Sequence, residues 1–507
     1  MTIDGYEFIT GSEGENGIMG DADGNLMHET VLTPECYRKD RINHWDRVSE
    51  RKDNSKRIGA FYHNLIEHYY RSLVPAGQKI IEIGCSHGDL LAALRPSFGV
   101  GIDFSDNMIR RARNKYPQLH FIRADAHALP CNGIFDAIIL SDLINDLWDV
   151  QTVLEKIKPM CHPGTRLVLN YYNNLWRLPL GVVGQLKLGA EMLEQNWFSP
   201  NDAKNLLQLA DFEVIKRQPA ILIPLNLRFI SHFINRYLAR IAPFSWFDMT
   251  NFIVARPQRE KSMSLNTETP SVSVIVPARN EAGNIEKIIE SVPRMGADTE
   301  LIFVEGHSVD NTYDRIERAM AAFPSKKCRL FRQTGKGKGD AVRHGFERAE
   351  GDILMILDAD MTVPPEDLAR FFQALVDGKG EFVNGVRLVY PLEKQSMRFF
   401  NILGNKFFSL AFSWMLDQPI KDTLCGTKAL TKSHYRLIAQ NRAYFGEFDP
   451  FGDFDLLFGA ARLNLKIVEM PVRYRARSYG NTNIDRWRHG LLLLKMVVFA
   501  AQRIKFI

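Results

Sequence analysis

The chain lacks any uninterrupted apolar run of about 18 or more residues, so none of its 507 residues is expected to form a transmembrane helix. Its first residues, MTIDGYEFITGSEGENG, contain no apolar stretch, so they are not expected to act as a signal peptide. Cysteine is scarce. Cys36, Cys85, Cys131, Cys161, Cys328 and Cys425 are scattered with no C-x-x-C pair, which argues against a disulfide framework or a zinc cage and for a reducing cytosol. The G-x-x-x-x-G-K-[ST] spacing of a P-loop is absent. So is a strong charge excess: 64 Lys and Arg face 59 Asp and Glu, giving +5. No nucleic-acid partner is expected, while mild basicity suits phosphate-bearing substrates or an anionic membrane surface.

What is present is an ordinary globular composition, 45% hydrophobic and 24% charged. The length exceeds what one core supports, so two or three domains are expected. Residues 1–33, rich in Gly, Asp, Asn and Glu, read as a mobile arm. From Pro34 to Arg256, strand-like runs (KIIEIG, FGVGID, LHFIRAD, FDAIILS, RLVLNYY) alternate with helical ones, the signature of a mainly parallel α/β sheet. Residues 257–270 are polar and aperiodic, a linker. A second alternation (VSVIVP, ELIFVEG, CRLFRQ, DILMILDAD, EFVNGVRL) runs from 271 to about 480. The two patterns differ, so two distinct α/β domains stand in tandem.

In the first domain, IIEIGCSHG sets Gly84 and Gly88 between a strand and the helix DLLAAL, where the backbone can turn tightly and approach a ligand. Asp103 ends the next strand, where a carboxylate can accept ribose hydroxyls, and Asp125 follows the third, within reach of an adenine amino group. Ser141, Asp142, Asn145, Asp146 and Tyr171 lie at the sheet's C-terminal edge as possible acceptor-side groups, with capping as the plainer role for each. The E-x-G-x-x-x-G run, Asp103, Ala124-Asp125-Ala126 and FDAIILSD together resemble the class I S-adenosylmethionine-dependent methyltransferases over residues 40–255. An NAD-binding unit is the competing reading, but its tighter G-x-G-x-x-G is missing. The resemblance implies a Rossmann-like sheet, with Glu82 at the methionyl end or its helix dipole, the glycine loop beneath the cofactor, and Asp103 on the ribose. The methyl acceptor is not legible.

In the second domain, the apolar run DILMIL delivers Asp358 and Asp360, two carboxylates one residue apart. Strand alternation would aim both the same way, and hard oxygens in that arrangement suit Mg²⁺ or Mn²⁺ on a substrate diphosphate. Upstream, Lys336 and Lys338 in GKGKGDAVRHG open a helix where they could meet phosphate, although a flexible turn would look similar. The order P-A-R-N-E, V-E-G-x-S-x-D-x-T, G-K-G, D-A-D resembles the inverting GT-A glycosyltransferases of family 2, especially dolichol- and polyprenyl-phosphate sugar transferases. That likeness implies a nucleoside pocket of Pro277, Ala278, Arg279, Glu281 and Glu305, with Lys338 and Asp358 also on the nucleotide sugar. It places the metal on Asp358 and Asp360. Glu305 and Gly306 replace the usual Asp-Asp pair, which leaves UDP or GDP open. D-T-L-C-G-T-K at 422–428 resembles the acceptor-side loop, and Asp453 matches the position of a base needed only for a hydroxyl acceptor. Arg473, Arg475 and Arg477 alternate in an extended segment; a shared face would suit a diphosphate or lipid phosphate, and a solvated edge strand is the alternative.

Residues 398–416 place Phe399, Leu403, Phe407, Leu410 and Trp414 on one helical stripe, with Asn and Lys making the segment too polar to span. It reads as an interfacial helix, and residues 481–507 as a basic, apolar amphipathic tail. Residues 223–247, apolar and aromatic with Arg228, Arg236 and Arg240, suit either a membrane surface or packing against the second domain. The resemblances together describe a bifunctional enzyme on the inner face of the cell membrane, held peripherally. Its expected partners are S-adenosylmethionine, a divalent metal, a nucleoside-diphosphate sugar and a polyprenyl-phosphate-type lipid. The alternative is transfer to a soluble or polysaccharide hydroxyl, with the first domain serving as an S-adenosylmethionine sensor.

Overall fold

Short apolar runs bounded by turn residues form strands buried on both faces when helices cover the two sides of a sheet. The computed structural model describes residues 2–3, 6–7, 33–51, 59–130, 133–185, 193, 195–258, 269–387, 399–442, 453–475, 477, 479 and 494–506. The chain divides into two compact units, Met1–Gln258 and Arg259–Ile507. Apart from a two-residue pairing of Thr2–Ile3 with Tyr6–Glu7, the expected N-terminal arm lies outside the described residues. Most of the linker lies outside them as well.

The first unit holds strands β1 (Lys79–Ile83), β2 (Phe98–Asp103), β3 (His120–Arg123), β4 (Phe135–Leu140), β5 (Cys161–Tyr172), β6 (Phe212–Ala220) and β7 (Thr250–Pro257). They lie in the order β3-β2-β1-β4-β5-β7-β6, parallel except for β7, which runs antiparallel to both neighbours. Alternate side chains feed opposite cores, as strand geometry requires. Ile81, Ile83, Ile138 and Leu140 face one cluster. Ile80, Ala137 and Ile139 face the other, beneath Tyr62, Ile66 and Tyr70 of the helix Gly59–Leu73. The order reverses between β1 and β4, which opens a crevice at their C-terminal ends.

The second unit holds β8 (Val272–Ala278), β9 (Thr299–Glu305), β10 (Lys327–Arg332), β11 (Ile353–Ile356), β12 (Phe382–Val386), β13 (Lys428–Thr431) and β14 (Ile467–Pro471). Their order is β10-β9-β8-β11-β13-β12-β14, with β13 antiparallel between β11 and β12. Here the reversal falls between β8 and β11. Each unit is thus the mixed α/β sheet that the two sequence patterns imply.

Two expectations about the apolar helices need correction. The helix Phe399–Leu416 does form, but Phe412, Met415 and Leu416 are buried and Phe412 stacks on Phe458 at 5.5 Å. Trp414 also leaves the supposed outer stripe, packing against Phe506 at 5.6 Å; Phe407 and Leu410 remain exposed. Phe399 and Leu403 have side chains outside the described set. The described end of the tail, 494–506, is no free amphipathic strip: Met496, Ala500 and Ala501 enter the core, and Lys505 pairs with Asp417. The reason is shared. The tail meets the end of the helix, with Phe506 against Trp414 and Lys505 on Asp417, while Phe412 packs on Phe454 and Phe458 of the helix Asp453–Arg462. Residues 481–493 of the tail lie outside the described residues. Among the described residues no helix is long and apolar enough to cross a membrane.

Two candidate active sites

The first site begins where β1 ends. Gly84, at φ +76°, donates its N–H to Ile102 O at 2.8 Å, and a β-carbon there would press on Leu143. Asp103 holds the turn: one carboxylate oxygen accepts from Ser86 N and the other from Ser105 N, both at 2.9 Å. Gly84, Asp103, Asp125 and Leu143 line a cavity of about 400 Å³, within the range of a small-molecule site. Gly88 does not reach it; a β-carbon there would strike the Phe121 ring, so this glycine serves packing. Glu82 is buried at 2% exposure and faces the amides of the helix Asp89–Ala93. Burial drives its carboxyl well above the ordinary range, and its Oε2 has no hydrogen-bond partner among the described residues.

A roof closes this cavity that the sequence patterns did not reveal. The helix Pro34–Arg51 sets Tyr37, Arg38 and Arg41 in the wall. Arg41 Nε and Trp45 Nε1 each donate to Asp146 at 2.8 Å, and Arg38 pairs with Asp125 at 3.2 Å. Burial opposes ionisation of Asp125, but two hydrogen bonds from His127 and the Arg38 charge hold its carboxyl below the usual value. Asp46 bonds Ser105. The only local signal for this roof was a helical run rich in arginine and aromatic residues.

Of the acceptor-side candidates, Asn145 and Tyr171 are structural: Asn145 bonds Asn196 O and Tyr172 N, and Tyr171 is fully buried. Asp142 differs. Its backbone sits at φ +52°, and its Oδ1 accepts from Tyr62 Oη at 2.8 Å and from Asn170 Nδ2. Burial pushes its carboxyl up to about 6, while those two donors pull it back. A raised carboxyl pKa means the folded state disfavours the charged form. Its contribution to stability is therefore complete below about pH 4 and lost as pH rises through about 6. Wild-type protein should lose on the order of 1–3 kcal/mol relative to Asp142→Asn across that window, read by urea unfolding. A stability difference that stays constant with pH would contradict this.

The second site lies at the β8–β11 reversal. Ala278 and Glu305 are register partners at the ends of β8 and β9. Asn280, at φ +58°, donates to Ser308 Oγ at 3.0 Å, and Glu305 accepts from Ser308 N, so the two strand ends are laced together. Pro277 is partly buried and Arg279 exposed at this rim. After β11, Asp358 pairs with Lys338 Nζ at 2.6 Å. Burial opposes its ionisation, yet Lys338, with Lys428 and Arg387 adding, holds the carboxyl below its usual value. Asp360 accepts from Thr362 and from Arg477 Nη2 at 2.7 Å. Arg477 also approaches Glu281 at 3.5 Å; burial raises the Glu281 carboxyl to about 7 against that pull.

The three arginines do not act as one row. β14 ends at Pro471, so strand alternation stops before them; all three are exposed, and Arg477 reaches the Asp360 and Glu281 carboxylates. The loop 422–428 closes the site from another side. Asp422 is fully buried and takes a two-point bond from Arg387, at 2.7 and 2.8 Å. Gly426 passes so close that a β-carbon would collide with both Asp358 and Lys338. Asp453 opens the helix Asp453–Arg462, but its side chain lies outside the described residues.

Residues 75–213 match the family described as a methyltransferase domain, and residues 273–434 match glycosyl transferase family 2. The chain joins a methyltransferase domain to a family 2 glycosyl transferase domain. A dolichol-phosphate mannosyltransferase of Pyrococcus furiosus is 28% identical over 219 residues, 42% of this chain and 59% of that protein. The UDP-N-acetylglucosamine–dolichyl-phosphate N-acetylglucosaminyltransferase of Methanococcus voltae is 25% identical over 246 residues, 44% of this chain and 96% of its own length. The dolichol-phosphate mannosyltransferase of Saccharomyces cerevisiae is 36% identical over 110 residues, 21% of this chain and 41% of that protein. The methyltransferase cavity, with carboxylates at its rim, fits an adenosine-bearing sulfonium. In the glycosyl transferase domain the hard oxygens of Asp358 and Asp360 fit a divalent ion. No cluster of three or more His, Cys, Asp or Glu among the described residues could hold one, so such an ion would need the diphosphate's own oxygens.

Proposed function

We propose that the glycosyl transferase domain moves a sugar, with inversion, from a nucleoside-diphosphate sugar to a polyprenyl-phosphate-type lipid. The observation that supports this most directly is the set Asp358, Asp360, Lys338 and Arg477 gathered at the reversal of strand order. Lys338 and Arg477 carry charge that can pass from carboxylate to diphosphate when donor binds. Asp358 and Asp360 would then hold Mg²⁺ or Mn²⁺, which would neutralise charge on the departing nucleoside diphosphate. Pro277, Ala278, Arg279, Glu281 and Glu305 border the nucleoside side. Arg473 and Arg475, exposed nearby, suit the acceptor phosphate. A phosphate acceptor is already anionic and needs no base; a hydroxyl acceptor would need Asp453. The enzyme works peripherally on the inner face of the cell membrane.

The methyltransferase domain binds S-adenosylmethionine in the roofed cavity. Its chain supplies alignment and water exclusion, which in-line methyl transfer needs most. Asp103 takes the ribose, and Asp125 the adenine edge. Asp103→Ala should weaken S-adenosylmethionine binding by about 1–3 kcal/mol, the scale of hydrogen bonds to a charged group, in calorimetry, with sugar transfer intact. Unchanged affinity would remove Asp103 from the site. The reading as a whole is tested by incubating the protein with UDP- or GDP-sugars and polyprenyl phosphate, followed by mass spectrometry of the lipid. A lipid-linked sugar is expected; transfer only to soluble hydroxyl acceptors would overturn the lipid assignment.

A further inference from the structure

In water a surface helix turns its polar side outward. The helix Phe229–Arg236 in the methyltransferase unit departs from this, burying two polar residues while its phenylalanines stand out beside His232 and Arg236. Its polar residues Ser231 and Asn235, one turn apart, are buried and spend their hydrogen bonds on the preceding chain: Ser231 Oγ donates to Leu225 O at 2.6 Å, and Asn235 Nδ2 to Ile223 O at 2.7 Å. Phe229 and Phe233 point out, 90% and 58% exposed. The helix is pinned by Ser231 and Asn235, so that the face bearing Phe229 and Phe233 is presented.

That face continues beyond one helix. Trp246, 65% exposed, lies on the segment that follows, and Leu178, 80% exposed, on the short helix Arg177–Gln185. These segments are tied together: Asn173 Nδ2 donates to Trp246 O at 3.1 Å, and Trp176 Nε1 to Phe247 O at 2.7 Å. The charges in the patch have one sign. Residues 173–185 and 223–247 contain four arginines and no Asp or Glu. Arg240 is buried and held against Tyr69, but Arg177, Arg228 and Arg236 are exposed among the apolar side chains.

Large exposed apolar patches are uncommon on soluble proteins, and a partner must satisfy both the aromatic groups and the arginines. A protein surface would need an apolar face ringed by carboxylates. An anionic bilayer offers hydrocarbon under a layer of negative headgroups, and Phe, Trp and Arg side chains suit that boundary. We propose that this surface seats the methyltransferase unit on an anionic phospholipid bilayer. The contact does not rest on the sugar-transfer reading and is separate from the exposed Phe407 and Leu410 of the other unit.

The test uses the full-length protein with phosphatidylcholine vesicles, alone or with added phosphatidylglycerol. Wild type should sediment with the anionic vesicles far more than with the neutral ones. Phe229→Ser/Phe233→Ser/Trp246→Ser should lower that partitioning by about tenfold or more, the scale of withdrawing several large apolar side chains from hydrocarbon, with nucleotide-sugar binding retained. Arg228→Glu/Arg236→Glu should lower only the phosphatidylglycerol-dependent part. Brominated lipids should quench wild-type fluorescence, and Trp246→Phe should lose that quenching, a readout independent of how the triple variant folds. The proposal is overturned by vesicle binding unchanged in the triple variant, by no quenching of Trp246, or by a wild-type self-association that the triple variant abolishes without any wild-type vesicle binding.

Discussion

Asp360→Asn lowers sugar transfer by roughly 10²–10³-fold, about 3–4 kcal/mol of barrier, the scale of losing one preorganised charge stabiliser. The substitution keeps the shape and an acceptor oxygen for Thr362, so the turn after β11 persists. It removes the charge that meets Arg477 at 2.7 Å and breaks the Asp358–Asp360 pair proposed to hold the metal on the diphosphate. The loss should therefore appear in turnover and not in folding, and donor hydrolysis should fall with transfer. EDTA should abolish wild-type sugar transfer and added Mg²⁺ or Mn²⁺ restore it, while methyl transfer survives the chelator. Sugar transfer at full rate in EDTA would defeat the metal assignment and leave Lys338 and Arg477 as the diphosphate's only counter-charges in this reading.

Asp422→Ala destabilises the glycosyl transferase unit by about 3–5 kcal/mol, because it leaves a buried guanidinium without its counter-charge. Arg387 has a side chain only 12% exposed, and its pKa is driven upward: burial opposes the charge, but Asp422 more than offsets it. Asp422 also accepts the backbone N–H groups of Arg387 and Leu424, so the truncation frees four donors at once. Urea unfolding followed in this unit measures the loss. An unchanged midpoint would show that the 422–428 loop is held by something else. Arg387→Met with Asp422→Leu should recover part of the stability, since an apolar pair of similar volume removes the orphaned guanidinium, while the backbone N–H groups of residues 387 and 424 still lose their acceptor. It should not recover activity if the loop's position over Asp358 depends on the pair.

The sequence by itself determined the two-unit plan, both α/β sheets and which carboxylates and glycine turns stand at the strand ends that border the two candidate sites. Apolar runs, glycine turns and carboxylates at strand ends are local, and a strand's alternation and a tight turn are decided by residues next to one another. For that reason Gly84, Asp103, Asp358, Asp360 and Lys338 could be placed before any tertiary contact was known. Local pattern could not assign duties that are settled across the fold. Gly88 and Glu82 share the glycine loop with Gly84, yet one packs on Phe121 and the other lies buried beneath a helix end. Arg473 and Arg477 look alike in an extended segment, but only Arg477 is shown meeting Asp360, 117 residues away. Arg41 closes the methyltransferase cavity through Asp146, 105 residues on. Trp414 was legible as part of an interfacial stripe until the tail was seen to fold back on its helix, with Phe506 against Trp414 and Lys505 paired to Asp417. In each case the deciding partner is distant in the chain, and periodicity carries no information about it; which charges meet and which apolar side chains are covered is set when the elements pack.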